Sequence, residues 1–367
     1  MLFKKVLAGA LAAVVAVGSL SLAVLAETDA SGNFEYEVLD DGTVSITKYL
    51  GDDKNVVIPD TIDGMNVTVI GDSAFYICSL TEIVIPDSVT TIGDWAFYAC
   101  NSLTEIVLPD SVTTIGDAAF NNCGSLTEIV IPDSVTTIGV MAFSECSSLI
   151  SLVVKENNSN YSSVDGVLFD KNKTTLIQYP MGRPDTEYTI PDSVTTVGSM
   201  AFSACSSLTG IVIPDSVITI ENGAFRWCDS LTEIVIPDSV TAIGEMAFSA
   251  CESLIKVVIP KSVTEIGMNA FWTSNDDLTI YGYKGSYAET YANDNKINFV
   301  PLDEETPSVT TKEESTTTTP AESETTTTTT PETTAPGTGG NPDTAATLLL
   351  IPALAAAAAV VISKKRK

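Results

Sequence analysis

Histidine is missing from all 367 residues. Without an imidazole, Ser-His-Asp and Cys-His nucleophile systems and every His-ligated metal site are excluded. Cations are scarce as well: 18 Lys and Arg stand against 47 Asp and Glu, a net charge of −29. Six of those cations, Lys4, Lys5, Lys364, Lys365, Arg366 and Lys367, sit at the two ends. The stretch 27–344 therefore holds 12 basic and 47 acidic residues. A chain so short of positive charge cannot neutralise phosphates, so nucleic acid is not expected as a partner. Mean hydropathy is nevertheless +0.24. Several short apolar stretches raise it, and it does not signal one continuous apolar core.

Two of those stretches are terminal. Residues 1–26 run from a basic start through an Ala/Val/Leu stretch to Val24-Leu25-Ala26. Small residues at −3 and −1 predict a secretory signal peptide cut after Ala26, with an uncleaved anchor as the alternative. Residues 346–363 form the second run, which at ~1.5 Å per residue spans roughly 27 Å, about one hydrocarbon core. The basic residues after it would stay in the cytoplasm and leave 27–344 outside. Between 303 and 340 the chain is Thr, Pro, Glu, Ser and Gly with almost no apolar side chains. Such a segment cannot offset its ordering entropy and is predicted to be a disordered stalk, reaching on the order of 120 Å at ~3.1 Å per residue. Its Thr runs, 316–319 and 325–330, are candidate O-glycan acceptors.

Everything between is one unit written many times. Phe75, Phe97, Phe120, Phe143, Phe202, Phe225, Phe248 and Phe271 recur at intervals of 22, 23, 23, 59, 23, 23 and 23. Cys78, Cys100, Cys123, Cys146, Cys205, Cys228 and Cys251 follow three residues behind seven of them. One unit reads Leu103-Thr-Glu-Ile-Val-Leu-Pro109-Asp-Ser-Val-Thr-Thr-Ile-Gly116, with Ala119-Phe120 and Cys123 behind it. A 23-residue period is too short for two helices. It fits one coil of a mainly β, leucine-rich-repeat β-solenoid, with coils stacked at ~4.8 Å. Ten rungs are expected, ending at Ile58, Ile85, Leu108, Ile131, Val154, Ile190, Ile213, Ile236, Ile259 and Ile280. Period-2 alternation turns Ile83 and Ile85 inward with Leu80, while Val89, Ile92, Ala96 and Phe97 fill the coil's other side.

An N-terminal hairpin cap is predicted within 27–55, because Phe34–Tyr49 alternates around Asp41-Gly42. A C-terminal cap is predicted over 278–302. Ser286-Tyr-Ala-Glu289 has capping-box spacing, opening a helix to about Lys296 that an Ile297–Val300 strand follows. The long interval holds an insertion over 155–190 that reads as strand, turn and strand, a projecting hairpin. Asp170-x-Asn172 lacks the Gly and Glu that a calcium loop needs, so no metal site and no cofactor are read. The cysteines fall within disulfide reach between adjacent coils in an oxidising compartment. The simpler expectation is a column of buried thiols acting as small hydrophobes.

These residues carry two resemblances. Leu-x-x-Ile-x-Ile-Pro-Asp-Ser-Val-Thr-x-Ile-Gly-x-x-Ala-Phe-x-x-Cys resembles the BspA-like leucine-rich repeats of bacterial surface proteins over about 34–302. Asn341-Pro342-Asp343-Thr344-Ala345, followed by an apolar span and basic tail, is similar to the cell-wall sorting signal Leu-Pro-x-Thr-Gly. Pro342 and Thr344 match it, whereas Asn341 and Ala345 depart from it. The second resemblance implies sortase cleavage between Thr344 and Ala345, with Thr344 joined to peptidoglycan. A retained membrane anchor is the alternative. Together they imply an exported protein, anchored to cell wall or membrane at the cell surface, that binds an extracellular protein or glycan. Neither names a catalytic residue.

Two surfaces compete for the binding role. On the strand face, Val57, Val84, Val107, Val130, Val153, Thr189, Val212, Val235, Val258 and Thr279 form an outward β-branched column. Beside it lie Asn55, Glu82, Glu105, Glu128, Ser151, Glu187, Gly210, Glu233, Lys256 and Asp277. Val and Thr suit any open pleated surface and Glu is at home in solvent, yet exposed apolar columns often mark contact surfaces. The rival surface flanks each Ala-Phe: Tyr76, Ile77, Trp95, Tyr98, Asn121, Ser144, Ser203, Arg226, Trp227, Ser249 and Trp272. Its aromatics could stack on sugar rings or anchor a protein, or could simply pack between loops. A non-enzymatic adhesin is the favoured reading. A wall-layer protein without a specific ligand comes next, and a polysaccharide-cleaving solenoid last, since the acids lie in columns rather than facing pairs.

Overall fold

In the computed structural model, which describes residues 27–272 and 274–302, the chain winds as a β-solenoid of about 11 turns with ~23-residue spacing. The expected signal peptide, stalk, sorting signal and apolar span lie outside the described residues. Among the described residues no helix is long and apolar enough to cross a membrane.

Each coil contributes one rung to each of two parallel ladders. In the first, Asn55–Val57 pairs with Glu82–Val84 and that with Glu105–Ile106, while Glu128–Ile131 pairs with Ser151–Val154. In the second, Thr91–Ile92, Thr114–Ile115 and Thr137–Ile138 run side by side, as do Thr196–Val197, Thr219–Ile220, Ala242–Ile243 and Glu265–Ile266. A turn joins the ladders within a coil, with the Val112 N–H donating to the Pro109 carbonyl at 3.1 Å. The Asp-Ser-Val-Thr that follows Pro86, Pro109 and Pro132 has a stitching role. Ser111 Oγ donates to the Val89 carbonyl at 2.6 Å and Thr113 Oγ1 to the Thr90 carbonyl at 3.2 Å, both in the coil before. In most coils a glycine ends the second rung at a close approach, as at Gly116, where a Cβ would sit 2.6 Å from the carbonyl carbon of Gly93; after Ile220 the place is taken by Glu221.

Inside, Val89, Ile92, Ala96 and Phe97 are fully buried, as are their equivalents in neighbouring coils. The phenylalanines stack with ring centroids 5.0 to 5.9 Å apart from Phe75 to Phe143 and 5.1 to 5.3 Å apart from Phe202 to Phe271. Tyr49 extends the first stack, Tyr179 opens the second, and Tyr291 of the cap helix closes it edge-on at 5.9 Å. The loop from Gly to Cys satisfies its backbone in alternation. Trp95, Phe97 and Ala99 donate N–H to the next coil, whereas Ala96, Tyr98 and Cys100 close turns within their own. That pattern holds Trp95 and Ala99 at positive φ, and their equivalents recur along the solenoid.

Three expectations are corrected. The insertion does not project. Tyr161–Val164, Val167–Asp170 and Thr175–Gln178 form an antiparallel meander, and its last strand pairs with Thr196–Val197 in the second ladder. Val167, Leu168 and Phe169 are fully buried, because this meander is the wedge between two halves of the core. The tenth rung is displaced by two residues: Lys256 faces Thr279 and Val258 faces Tyr281, so Asp277 and Thr279 do not hold the column places expected of them. The hairpin cap gains a strand, Glu27–Thr28, paired antiparallel with Glu35 and Tyr36. At the far end the helix is Tyr287–Asn295, with Ser286 accepting from the Glu289 N–H at 3.4 Å and Glu289 accepting from the Gly285 N–H at 2.7 Å. A parallel strand, Asn298–Pro301, covers Thr279–Gly282.

Candidate functional site

The first ladder turns alternate side chains outward, and the consequence is an uncovered apolar row. Val57, Val84, Val107, Val130 and Val153 are 58%, 46%, 62%, 38% and 36% exposed. Each is only partly covered, so each forgoes a share of the ~1.5–3 kcal/mol that full burial of such a side chain contributes. Val212 and Val235 continue the row beyond the insertion. Two residues before each valine stands the second row, where Glu82, Glu105, Glu128 and Glu233 are all exposed.

The two halves differ in how they treat these carboxylates. Lys256 Nζ lies 2.9 Å from Glu233 Oε2, so the second half supplies its own counter-charge. Among the described residues, no ion pair involves Glu82, Glu105 or Glu128. Glu82 and Glu105 face each other directly across the ladder, an arrangement of like charges that is unfavourable without a partner.

The loop aromatics are not assembled into one surface. Trp95 is 46% exposed, Tyr98 is half-buried against Tyr76 with rings 5.0 Å apart and 9° from parallel, and Trp272 stands alone at 58% exposed. Trp227 is half-buried under the Arg226 guanidinium, 3.7 Å from its ring centre. It closes a shallow groove of about 360 Å³ whose other walls include Asn101, Asn122, Glu145 and Met181. Asn121, Ser144, Ser203 and Ser249, expected on this surface, are buried instead. Ser144 Oγ donates to Gln178 Oε1 at 3.0 Å and Ser249 Oγ to the Trp272 carbonyl at 3.1 Å. Small side chains in this column are overhung by the next coil, where Ser144 and Ser249 find their partners, whereas Tyr76 and Trp272 reach solvent.

The cysteines are free thiols, six buried and Cys78 half-buried. Cys100, Cys123, Cys146, Cys228 and Cys251 each donate S–H to the phenylalanine carbonyl of the preceding coil at 3.0 to 3.2 Å. Burial pushes the Cys100 and Cys251 thiols up to about 12, far from the thiolate a nucleophile or metal ligand needs. Among the described residues no group of three or more Cys, Asp or Glu converges on a metal position. One polar site had no sequence signal: the buried Tyr36 presents its hydroxyl to Asp63 Oδ2 at 2.7 Å and Glu27 Oε2 at 3.0 Å. These hydrogen bonds, that to Asp63 first, raise the phenol's pKa, and they tie the hairpin cap to the first coil.

Repetition, fold and outward rows together define a leucine-rich-repeat solenoid, the class of repeat-built binding or structural proteins. More narrowly, the chain belongs to the BspA type leucine rich repeat region family, whose model matches residues 68–181 and 184–296 in six copies. No curated protein matches it. Among solved structures it is similar to a leucine rich cell surface protein from Faecalibacterium prausnitzii A2-165, at 28% identity and TM-score 0.37, covering 73% of this chain and 97% of that one. It is also similar to the pneumococcal vaccine antigen PcpA, at 21% identity and TM-score 0.50, covering 77% and 99%. A leucine-rich repeat protein from Eubacterium ventriosum is similar at 25% identity and TM-score 0.44, covering 74% and 82%. The PcpA likeness bears on fold alone.

Proposed function

We propose that this is an exported, surface-displayed recognition protein that binds an extracellular protein or glycan through the strand face of its solenoid, without catalysis. The observation that carries this is the uncovered valine row, Val57 to Val153, beside glutamates with no counter-charge. A continuous exposed apolar row of this kind often marks a contact surface. Its supports are the family and the sequence pattern: a cleavable leader, a stalk and a sorting-type tail around a rigid repeat body. In this reading sortase joins Thr344 to peptidoglycan, or the apolar span stays in the membrane.

The test is a binding array of mucins, matrix proteins and plant polysaccharides probed with the purified full chain. Saturable binding to at least one class is expected, with Val107→Asn, Val130→Asn and Glu128→Gln together weakening it by about tenfold or more. No saturable hit would sink the reading. Retained affinity in the triple variant would move the site to Trp95, Trp227 and Trp272. On cells, Thr344→Ala should make the protein extractable by detergent alone, where the wild type needs wall digestion; equal extraction of both would refute sortase attachment.

A further inference from the structure

The strand face has a repeat distance, and a repeat distance selects among partners. Its two rows run along the solenoid axis with one valine per coil from Val57 to Val153 and one carboxylate in each of three successive coils, Glu82, Glu105 and Glu128, the coils lying ~4.8 Å apart. Within a coil the two side chains are two residues apart on a strand, roughly 6.6–6.8 Å. An extended segment laid along the rows presents same-side residues every ~6.8 Å and drifts by about 2 Å at each coil, out of register after two or three. An α-helix laid along the same rows presents one residue per ~5.4 Å turn and drifts by about 0.6 Å, so it stays within the reach of a lysine stem across four coils. The charge is complementary too. Glu82, Glu105 and Glu128 stand exposed with no ion pair among the described residues, next to Val84, Val107 and Val130. In the second half Glu233 is paired with Lys256, and Gly210 stands between it and Glu187.

Resting on the strand-face reading above, we infer that the first-half face, coils Asn55 to Val153, docks a cationic amphipathic helix whose lysine or arginine stripe lies over the glutamates and whose apolar stripe lies over the valines. This is helix recognition by charge and period, and it needs no pocket.

The probe is a synthetic 18-residue helical peptide with one Lys stripe beside one Leu stripe on an Ala background, compared by fluorescence anisotropy with a scrambled peptide of the same composition. Against the purified full chain, the striped peptide should bind saturably and at least tenfold more tightly than the scramble, and rising salt should weaken it. Glu82→Gln, Glu105→Gln and Glu128→Gln together should lower its affinity about tenfold, whereas Glu245→Gln with Glu265→Gln, exposed acids elsewhere on the solenoid, should leave it unchanged. All five are surface positions, and matched thermal unfolding of the variants checks that the fold is kept. Equal binding of the scramble, or equal weakening by both sets, would overturn the inference. If the array above still yields a ligand sensitive to Val107 and Val130 while the striped peptide fails, the helix is wrong and the strand-face reading survives.

Discussion

A thiol buried beside a carbonyl is held neutral twice over, by desolvation of the thiolate and by the loss of the S–H donor on ionising. The bond itself recurs at Cys100, Cys123, Cys146, Cys228 and Cys251, and the coil of Phe271 makes it with Ser274 Oγ, 2.8 Å from the Phe248 carbonyl. The serine shows that the position wants a donor of this size, not sulfur chemistry. Because folding raises Cys100, Cys123, Cys228 and Cys251 above their ordinary value of 9.0, the unfolded chain ionises first. The thiols' contribution to stability is therefore complete below pH about 9 and is lost as pH climbs towards about 12, at ~1.4 kcal/mol per thiol per pH unit. The urea midpoint should hold steady from pH 7 to about 9 and fall beyond it, less steeply in Cys228→Ser. Buried tyrosines such as Tyr179, raised by desolvation, add to the fall in the same direction but do not change between the two proteins. An identical slope in Cys228→Ser would show that the sulfur column does not titrate with folding.

At the scale of the element, the period was the most informative thing in the sequence. Two of the departures from expectation are places where a residue pattern overrides that period. A 23-residue step back from Phe202 lands on Tyr179, which heads the second ring stack; the substitution of Tyr for Phe hid a coil inside what looked like a free hairpin. The same step from Val257 lands on Ile280, its true partner, whereas matching Ile259 to Ile280 shortened the last coil by two. Val167-Leu168-Phe169 carried a further signal, since three consecutive apolar residues in a strand mean cover on both faces. Alternation alone placed the Glu and Val rows correctly, because exposure on an open strand face depends only on parity. Exposure in the Ala-Phe loops depends on what the next coil lays over them, and neither Ser144 nor Trp227 carries that information in its own identity.

For the whole solenoid, stability is close to a sum over neighbouring coils, so its weakest interface sets where it opens first. That interface is the insertion. The core divides there, one cluster running from Phe34 to Leu168 and the other from Val167 to Ala292. The ring stack ends at Phe143 and restarts at Tyr179. The second ladder stops at Thr137–Ile138, and in place of a neighbouring strand the Ile138 N–H donates to the Tyr161 hydroxyl at 2.9 Å, which reaches the Thr136 carbonyl at 3.4 Å. Beside it lies a cleft of about 200 Å³ lined by Ile138, Met141, Phe143, Tyr161 and Ile177. In the second ladder one phenol thus does at this seam what a strand of backbone does between the other coils. Hydrogen exchange should find the Ile138 amide less protected than those of Ile115 and Ile220, and urea should unfold the two halves in separable steps. Tyr161→Phe removes the acceptor at a cost of about 1 kcal/mol and should speed exchange at Ile138 while leaving Ile115 and Ile220 as they were. Uniform protection across the three amides, with one transition that every probe reports alike, would mean that the meander couples the halves as tightly as any two coils are coupled.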